Sequence, residues 1–364
     1  MRYVSENPLR AVYTGHFISI VLPIAISERE CPLRVPLAGR KRPCTRRRCS
    51  DEETASSGGS VRRVDPVRKN GWMSAAEPIT DQVPSRDGAI LGIEQYGSEH
   101  RNAAAASILF IPALGVPIGY YRGMLSDWAA RGRHIVAVEL RGMPQSPVTQ
   151  IRKQRFGYAT IIHDDLPAIT ASEAFQRSGR IAVVGHSLGG QLALLAAAIG
   201  TINASAVVTI ASGTSSPASQ QTRIGRIKRR SQVQFIRTVS AILGYWPGDR
   251  LGFGGRQPRT LMRDWCYEGS HGAYRFTDTD TDYEAALAQL RIPALAISLD
   301  GDRTIPLPAA KYLLRRLPER TEHRHITSRD PAGFDHIRWA RHEHQPIIDA
   351  TERWITGQTS SPAA

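Results

Sequence analysis

The sequence predicts an α/β fold in which a mostly parallel central sheet has helices on both faces and an inserted helical cap. Short, continuous apolar runs such as ASILFI (Ala106–Ile111) are typical of strands that are buried on both faces of a sheet. These runs alternate with segments of helical spacing, as parallel strands joined by crossover helices require. The alternation is interrupted over residues 213–290, and this long interruption predicts the insertion.

The predicted elements follow one another from about residue 85 onward. Apolar runs predict strands over Ala106–Ile111 and over residues 134–140, 180–185, 205–211 and 292–299. Ile90–Tyr96 is predicted as an edge strand, and Glu322–Ile326 as the last strand. Apolar residues at helical spacing predict helices over residues 120–131, 158–175, 188–199, 307–317 and 338–355. The interrupting segment is basic around residues 223–230 and aromatic near residues 244–274, and we expect it to cover the carboxyl edge of the sheet.

Residues 1–72 differ in composition from the rest of the chain. They contain 14 Lys/Arg and 7 Asp/Glu residues, and so carry half of the net charge of +14. No apolar period runs through residues 31–71, which predicts a disordered basic extension whose run at residues 40–48 is solvated. Translation starting at Met73 is an alternative explanation. The predicted organisation is this extension (1–72), the first part of the core (73–212), the cap (213–290) and the second part of the core (291–364).

The composition also argues against several classes of protein. Only Cys266 of the four cysteines lies outside the extension, so the body has no internal disulfide, and a reducing, cytoplasmic location is predicted. Cys44 and Cys49 have no second pair at metal-ligand spacing, so no metal site is predicted. No apolar run is long enough for a membrane span, and the apolar run at residues 17–26, which resembles a weak signal-peptide core, is interrupted by Pro23. The basic run lacks interleaved aromatic residues, and nucleic-acid binding is not predicted.

The candidate nucleophile is Ser187 in the pattern G-H-S-L-G at residues 185–189. An apolar strand leads into this pattern and a helix leaves it, as a nucleophile elbow requires. We expect Gly185 and Gly189 to remove side chains that would collide where strand and helix cross. We expect the serine to have a strained backbone that exposes its Oγ at the edge of the sheet. His186 is expected to pack or hydrogen-bond beneath this turn.

A serine hydroxyl needs a base and an acid that orients the base, and in this topology both follow the serine in the chain. The polar turn after the strand at residues 292–299 offers two acids. Asp302 is favoured because it lies at the tip of the loop, and Asp300 is the alternative. His336, in the loop before the last helix, is the candidate base. The other late histidines alternate on a strand or lie on different faces of a helix, and neither arrangement predicts a metal site.

Backbone N–H groups are the expected donors to an oxyanion. One is that of Leu188, directly after the candidate nucleophile. The second should come from the loop after Ala106–Ile111, where Pro112 has no N–H to donate. Ala113 or Leu114 must therefore donate, and Leu114 is favoured.

Residues 85–356 resemble the α/β-hydrolase superfamily, and particularly a group of bacterial α/β-hydrolases related to serine aminopeptidase and monoglyceride lipase-like proteins. The segments FIPALGVPIGYYRGM, VELRGMPQS, FGYATIIHDDLPAI, VGHSLGGQLAL, SLDGDRTIP and GFDHIRWAR carry the resemblance, in family order. It implies a Ser187–Asp302–His336 triad, a cap domain, no cofactor, and hydrolysis of an ester, thioester or amide. Where many members have His-Gly before the oxyanion loop, this chain has Pro112-Ala113, so the shape of the loop is expected to differ.

The leading interpretation is a serine hydrolase that acts on a small acyl compound through an acyl-enzyme. The same fold also serves acyltransferases and cofactor-free haloperoxidases, and a binding protein with an inactive triad is a further alternative. Six aromatic residues of the predicted cap suggest a partly apolar cavity, although plain packing explains them equally well (Tyr245, Trp246, Phe253, Trp265, Tyr267 and Tyr274). The oligomeric state and the substrate itself do not follow from the sequence.

Overall fold

The structure, a computed structural model, describes residues 77–101, 105–176, 178–331 and 333–360. The predicted basic extension and Met73 lie outside the described residues. The strands of the described residues are β1 (Ile79–Pro84), β2 (Ile90–Tyr96), β3 (Ala106–Ile111), β4 (Ile135–Val138), β5 (Arg180–His186), β6 (Ala204–Ile210), β7 (Tyr245–Pro247), β8 (Arg256–Pro258), β9 (Ala294–Leu299) and β10 (Glu322–Ile326). Their α-helical segments are α1 (Arg122–Ala129), α2 (Tyr158–Thr160), α3 (Leu166–Thr170), α4 (Leu188–Ala198), α5 (Arg223–Leu243), α6 (Gly248–Leu251), α7 (Arg259–His271), α8 (Tyr283–Ala288), α9 (Leu307–Leu314), α10 (Trp339–His342) and α11 (Gln345–Ser360).

Eight strands form the main sheet, in the order β1-β2-β4-β3-β5-β6-β9-β10. The pairs from β4 through β3, β5, β6 and β9 to β10 are parallel, and β2 pairs antiparallel with both β1 and β4. The prediction of a mostly parallel sheet is therefore confirmed. The carboxyl ends of β3, β5, β6 and β9 lie along one edge, so the loops that leave these strands meet there.

The apolar strands build a core on each face of this sheet. Successive residues of a strand point to opposite faces, so Leu109 and Val183 belong to one buried cluster whereas Ile108 and Val184 belong to the other. The first cluster includes the apolar residues of α4, and the second includes those of α1 and α11. Helices thus cover both faces, as predicted from the continuous apolar runs.

The predicted and observed elements differ in strand β1 and its neighbour β2 and in two of the predicted helices. The edge strand β1 was not predicted, because nearly all of its residues are exposed and it has no apolar run. The prediction of β2 as an edge strand is therefore wrong, since β2 lies between β1 and β4. The predicted helix at residues 158–175 contains a π-helical turn at Ile161–Asp165 and ends at Thr170. The predicted helix at residues 338–355 is divided into α10 and α11, because Pro346 has no N–H to donate and suits only the first turn of a new helix.

The predicted cap segment contains α5 to α8 and a small antiparallel sheet of β7 and β8. Its loop at residues 252–255 lies directly against the loop that follows β3. A Cβ built on Gly115 would be 2.2 Å from the carbonyl carbon of Gly254. Part of this segment thus contacts the carboxyl edge of the sheet. No helix in the described part of the chain is both long and apolar enough to span a membrane.

Candidate active site

Ser187 lies on a strained turn between β5 and α4. Its φ and ψ are 54° and −115°, although φ values above zero are uncommon for residues with a side chain. The turn is tight because the backbones of β5, α4 and β3 approach one another closely at the two glycines. A Cβ on Gly185 would lie 2.2 Å from the carbonyl oxygen of Gly189, and a Cβ on Gly189 would lie 2.2 Å from that of Ile111. The predicted reason for both glycines, close crossing of strand and helix, is confirmed.

Hydrogen bonds from the neighbouring strand stabilise this turn. The N–H of Ser187 donates to the carbonyl oxygen of Ile210 at 2.9 Å. The hydroxyl of Ser212 donates to the carbonyl oxygen of Ser187, also at 2.9 Å. Because the N–H of Ser187 is engaged, the next free donor along the chain is the N–H of Leu188, which begins α4. The first N–H groups of a helix have no acceptor within the helix and carry its partial positive charge.

His336 connects Ser187 with Asp302. Its Nε2 lies 3.0 Å from Ser187 Oγ, and its Nδ1 lies 2.7 Å from Asp302 Oδ2. An ionised carboxylate only accepts hydrogen bonds, so Nδ1 carries the proton and Nε2 presents its lone pair to the serine hydroxyl. Asp302 and His336 are 3% and 9% exposed, which keeps solvent away from the charge-assisted bond between them.

The second oxygen of Asp302 fixes the orientation of its carboxylate. Oδ1 accepts the backbone N–H groups of Thr304 at 2.8 Å and Ile305 at 3.0 Å. These two bonds leave Oδ2 to point at His336. The turn that follows Asp302 therefore orients its carboxylate independently of the contact with His336.

Asp300, the alternative acid, lies elsewhere. Its side chain is half exposed, and its carboxylate lies 3.9 Å from His325 Nε2. Its backbone oxygen accepts the N–H of Phe334 at 2.7 Å. The structure thus brings Asp302, and not Asp300, to His336.

The loops that carry Asp302 and His336 meet through two glycines. A Cβ on Gly301 would lie 2.8 Å from the Cα of Gly333, and the reverse distance is the same. Both residues have positive φ values, 78° and 76°. Backbone contact at this point, rather than side-chain packing, sets the spacing of the two loops.

Of the two candidate N–H donors in the loop after β3, Ala113 and Leu114, one is free. The N–H of Ala113 donates to the hydroxyl of Tyr121 at 3.3 Å. The N–H of Leu114 has no acceptor among the described residues. The geometry therefore favours Leu114 over Ala113 as the second oxyanion donor, together with Leu188.

A buried network that the sequence reasoning only partly foresaw lies behind the elbow. His186 is fully buried, as expected, and burial holds its pKa well below the usual value of 6.5. Trp339 Nε1 donates to its Nε2 at 3.3 Å, and its Nδ1 lies 2.7 Å from the hydroxyl of Tyr121. Since indole only donates, the neutral imidazole carries its proton on Nδ1 and donates it to Tyr121. Tyr121 and Trp339 lie in two segments predicted as helices, and no spacing rule connects them with His186.

The remaining candidates have structural contacts. His323 and His325 both contact the hydroxyl of Ser298 at 2.8 Å, and His344 Nε2 lies 2.8 Å from Asp127 Oδ2. No group of potential ligands that could hold a metal ion occurs among the described residues.

The aromatic residues of the predicted cap pack largely on one another. The indole N–H of Trp246 donates to the carbonyl oxygen of Phe253 at 2.7 Å, and the rings of Phe253 and Trp265 are 5.3 Å apart. Trp246, Trp265 and Tyr274 are buried in the core cluster that contains α4. For these residues, plain packing is therefore the better explanation.

The comparisons with known proteins agree with this architecture. The profile of the Alpha/beta hydrolase family matches residues 108–346. No curated protein matches the chain in sequence. Among solved structures, alpha/beta hydrolase domain-containing protein 10 from mouse is 14% identical, with a TM-score of 0.53 over 77% of this chain and 99% of that one. A bacterial membrane phospholipase A, described as a virulence factor, is 16% identical, with a TM-score of 0.53 over 79% of this chain and 88% of that one. An esterase from Rhodococcus sp. ECU1013 is 15% identical, with a TM-score of 0.50 over 77% of this chain and 99% of that one.

At these identities the solved structures show a shared fold, whereas the family profile covers most of the chain. The profile includes the elbow, Asp302 and His336 within its bounds. The chain therefore belongs to the alpha/beta hydrolase family of enzymes.

Proposed function

We propose that the protein is a serine hydrolase that cleaves an ester, thioester or amide of a small acyl compound through an acyl-enzyme. The observation that carries the proposal is the continuous hydrogen-bonded chain from Ser187 Oγ through His336 to Asp302, with distances of 3.0 and 2.7 Å. Both distances lie in the range expected of a nucleophile, its base and the group that orients the base. The reaction assigns one role to each of these residues.

In the first half-reaction, Ser187 Oγ attacks the acyl carbon while His336 Nε2 takes the hydroxyl proton. Asp302 stabilises the resulting imidazolium and keeps its Nδ1–H oriented. The N–H groups of Leu114 and Leu188 donate to the oxyanion of the tetrahedral intermediate. His336 then transfers its proton to the leaving oxygen, sulfur or nitrogen as the bond to the acyl carbon breaks.

In the second half-reaction, water replaces the leaving group. His336 Nε2 removes a proton from a water molecule, whose oxygen attacks the acyl carbon of the acyl-enzyme. The second tetrahedral intermediate uses the same two N–H donors. Its collapse releases the carboxylic acid and returns the proton from His336 to Ser187 Oγ.

An activity probe tests this proposal directly. A fluorophosphonate should label the wild-type protein and should not label Ser187→Ala, with the site established by peptide mass spectrometry. Ser205→Ala is a matched control, because its hydroxyl donates to the carbonyl oxygen of Ile181 at the opposite end of the sheet from the elbow. Labelling that persists in Ser187→Ala would reject Ser187 as the nucleophile.

Hydrolysis of p-nitrophenyl esters with short and long acyl chains separates the hydrolase from the alternatives. Turnover in water without an added acyl acceptor supports hydrolysis. Turnover that requires an added alcohol or amine acceptor would instead indicate an acyltransferase. Probe labelling with neither reaction would leave an activated serine with a different acyl donor, to be sought among thioesters and amides.

A further inference from the structure

Helix α5 exposes an apolar stripe to solvent. Among the described residues seven large apolar side chains are exposed, and five of them lie on this helix. Ile224 and Ile242 are 80% and 77% exposed, Ile227 is 59% exposed and Phe235 is 40% exposed. The buried residues of the same helix are Val233, Ile236 and Ser240. The exposed stripe is therefore additional to the face with which the helix packs on the protein.

The exposed apolar residues recur along the helix axis, with Ser231 and Thr238 between them on the same face. At 100° per residue, positions 224, 227, 235 and 242 fall on one face, opposite the buried residues. They extend over 18 residues, which at a rise of 1.5 Å is about 27 Å. The helix begins with a Thr222 cap and ends at Gly244 in the left-handed conformation, so the stripe occupies almost its full length.

Exposed cations lie on both sides of the stripe, four of them on the side that runs from Ile227 toward the buried face and Lys228 on the other, and acidic residues are absent from the helix. Five of its basic side chains are exposed (Arg223, Arg226, Lys228, Arg230 and Arg237). None of these five forms an ion pair with a carboxylate among the described residues. Its sixth cation, Arg229, points inward and donates to the carbonyl oxygen of Thr304 at 3.2 Å. A helix with an apolar face and uncompensated cations beside it is the pattern of an interfacial, membrane-surface helix.

Charge decides among the possible occupants of this face. A second copy of the chain would place the same five unpaired cations opposite each other, which is unfavourable. Nucleic acid would neutralise the cations but would leave Ile224 and Ile242 in water. An anionic lipid surface satisfies both features, since its headgroups attract cations and its acyl boundary accepts the apolar stripe.

We propose that the outer face of α5 binds an anionic lipid surface, with Ile224, Ile227, Phe235 and Ile242 entering the headgroup and acyl boundary. The inward face of the helix remains on the protein, where Arg229 contacts the turn that orients Asp302. Docking would therefore hold the candidate active site next to the lipid surface. The proposal does not depend on catalysis, because it can be tested by binding alone.

The test is sedimentation of the full chain, as Ser187→Ala protein, with sucrose-loaded vesicles. Vesicles of phosphatidylcholine with 30% phosphatidylglycerol are compared with phosphatidylcholine alone. The double variant Ile224→Ser/Ile242→Ser removes the two most exposed apolar side chains, and we expect its partition coefficient to fall about ten-fold. The matched control is Ile79→Ser/Ile90→Ser, which removes two exposed isoleucines from the edge of the sheet and should stay within two-fold of the parent.

A charge variant tests the electrostatic part. Replacing Arg223 and Arg230 by glutamine should lower partitioning to the anionic vesicles about 25-fold, since a cation near such a surface contributes about five-fold. Partitioning to phosphatidylcholine alone should be weak for every variant. Circular dichroism checks that all variants keep the helical content of the parent.

Two results would overturn the proposal. One is the absence of preferential binding to the anionic vesicles. The other is binding that neither α5 variant weakens relative to the Ile79/Ile90 control, because the contact would then lie outside this face. If the first of these results is accompanied by self-association that Ile242→Ser abolishes, the face belongs to a second copy of the chain.

Discussion

Replacing Asp302 with asparagine should inactivate the protein by reversing the polarity of His336. The N–H groups of Thr304 and Ile305 require an acceptor at the position of Oδ1, so the asparagine carbonyl will stay there. Its NH2 group then occupies the position of Oδ2, 2.7 Å from His336 Nδ1, where both groups cannot be donors. The imidazole must therefore shift its proton to Nε2, which then faces Ser187 Oγ with an N–H and cannot accept the hydroxyl proton.

The expected loss follows from the wrong tautomer and from the missing negative charge. For an orienting aspartate in a serine triad such a change costs about 10⁴-fold in kcat, which corresponds to about 5.5 kcal/mol. Fold stability should change little, because the two backbone contacts remain. The assay is kcat and KM on a p-nitrophenyl ester, with the rate of fluorophosphonate labelling as a second readout, and KM should be nearly unaffected.

Asp300→Asn is the matched control, two residues away on the same turn. Its half-exposed carboxylate makes no contact with His336, so we expect its kcat within about three-fold of the wild type. A loss in Asp300→Asn as large as that in Asp302→Asn would refute the reasoning. So would an Asp302→Asn variant that retains a tenth of the wild-type activity.

Three further predictions concern stability and reactivity. Gly189→Ala should lower the free energy of unfolding by about 3 kcal/mol or more, because the new Cβ would lie 2.2 Å from the carbonyl oxygen of Ile111. Urea unfolding measures this loss. Gly123→Ala on α1 is the control, because its Cβ would meet nothing within 4 Å, and it should raise the free energy of unfolding by about 0.5–1 kcal/mol. Burial raises the pKa of Glu139 from 4.5 to about 7, so the folded protein retains a proton that the unfolded chain loses, and stability falls as the pH rises between these values. Glu139→Gln lacks this titration, and its unfolding free energy relative to wild type should rise by about 3 kcal/mol between pH 4 and pH 8. Cys266 is buried with its pKa raised to about 12, so iodoacetamide at pH 8 should alkylate it about 10³-fold more slowly than an ordinary thiol, as measured by peptide mapping.

Each of these predictions has a contradicting result. Equal stability of the two glycine variants would mean that the strand and helix at the elbow can separate without cost. Parallel pH profiles for wild type and Glu139→Gln would mean that Glu139 has the same pKa in the folded protein as in the unfolded chain. Cys266 on α7 has its Sγ 3.6 Å from the carbonyl oxygen of Val233 on α5, so its rapid alkylation in the absence of denaturant would mean that these two helices separate readily.

The features that could be predicted from sequence are those that a single buried pattern controls. The bounds of β3 were predicted correctly because a buried, nearly unbroken apolar run fills it from end to end. The elbow could be predicted because the steric cause for Gly185, the carbonyl oxygen of Gly189, lies within five residues. Strand β1 could not, since it pairs through its backbone at the edge of the sheet while its side chains remain in water.

Contacts between distant segments set the limit of this reasoning. One error has a local cause: Pro346 marks the start of α11, and the prediction of a single helix over residues 338–355 overlooked it. The link of His186 with Tyr121 and Trp339 joins residues up to 153 positions apart, and no local pattern encodes it. For the same reason the sequence could rank Leu114 above Ala113 only weakly, whereas the contact from Ala113 to Tyr121 distinguishes them.

The backbone contact between Gly301 and Gly333 divides the candidate active site into two mechanical units. Asp302 and His336 sit on loops that touch at these glycines, whereas Ser187 is attached separately through Ile210 and Ser212. On warming, we expect Asp302 and His336 to move together. The distance from His336 Nε2 to Ser187 Oγ then lengthens, while the distance between the histidine and the aspartate is kept. Thermal inactivation would then begin as a reversible loss of alignment at the serine, below the temperature at which the sheet unfolds.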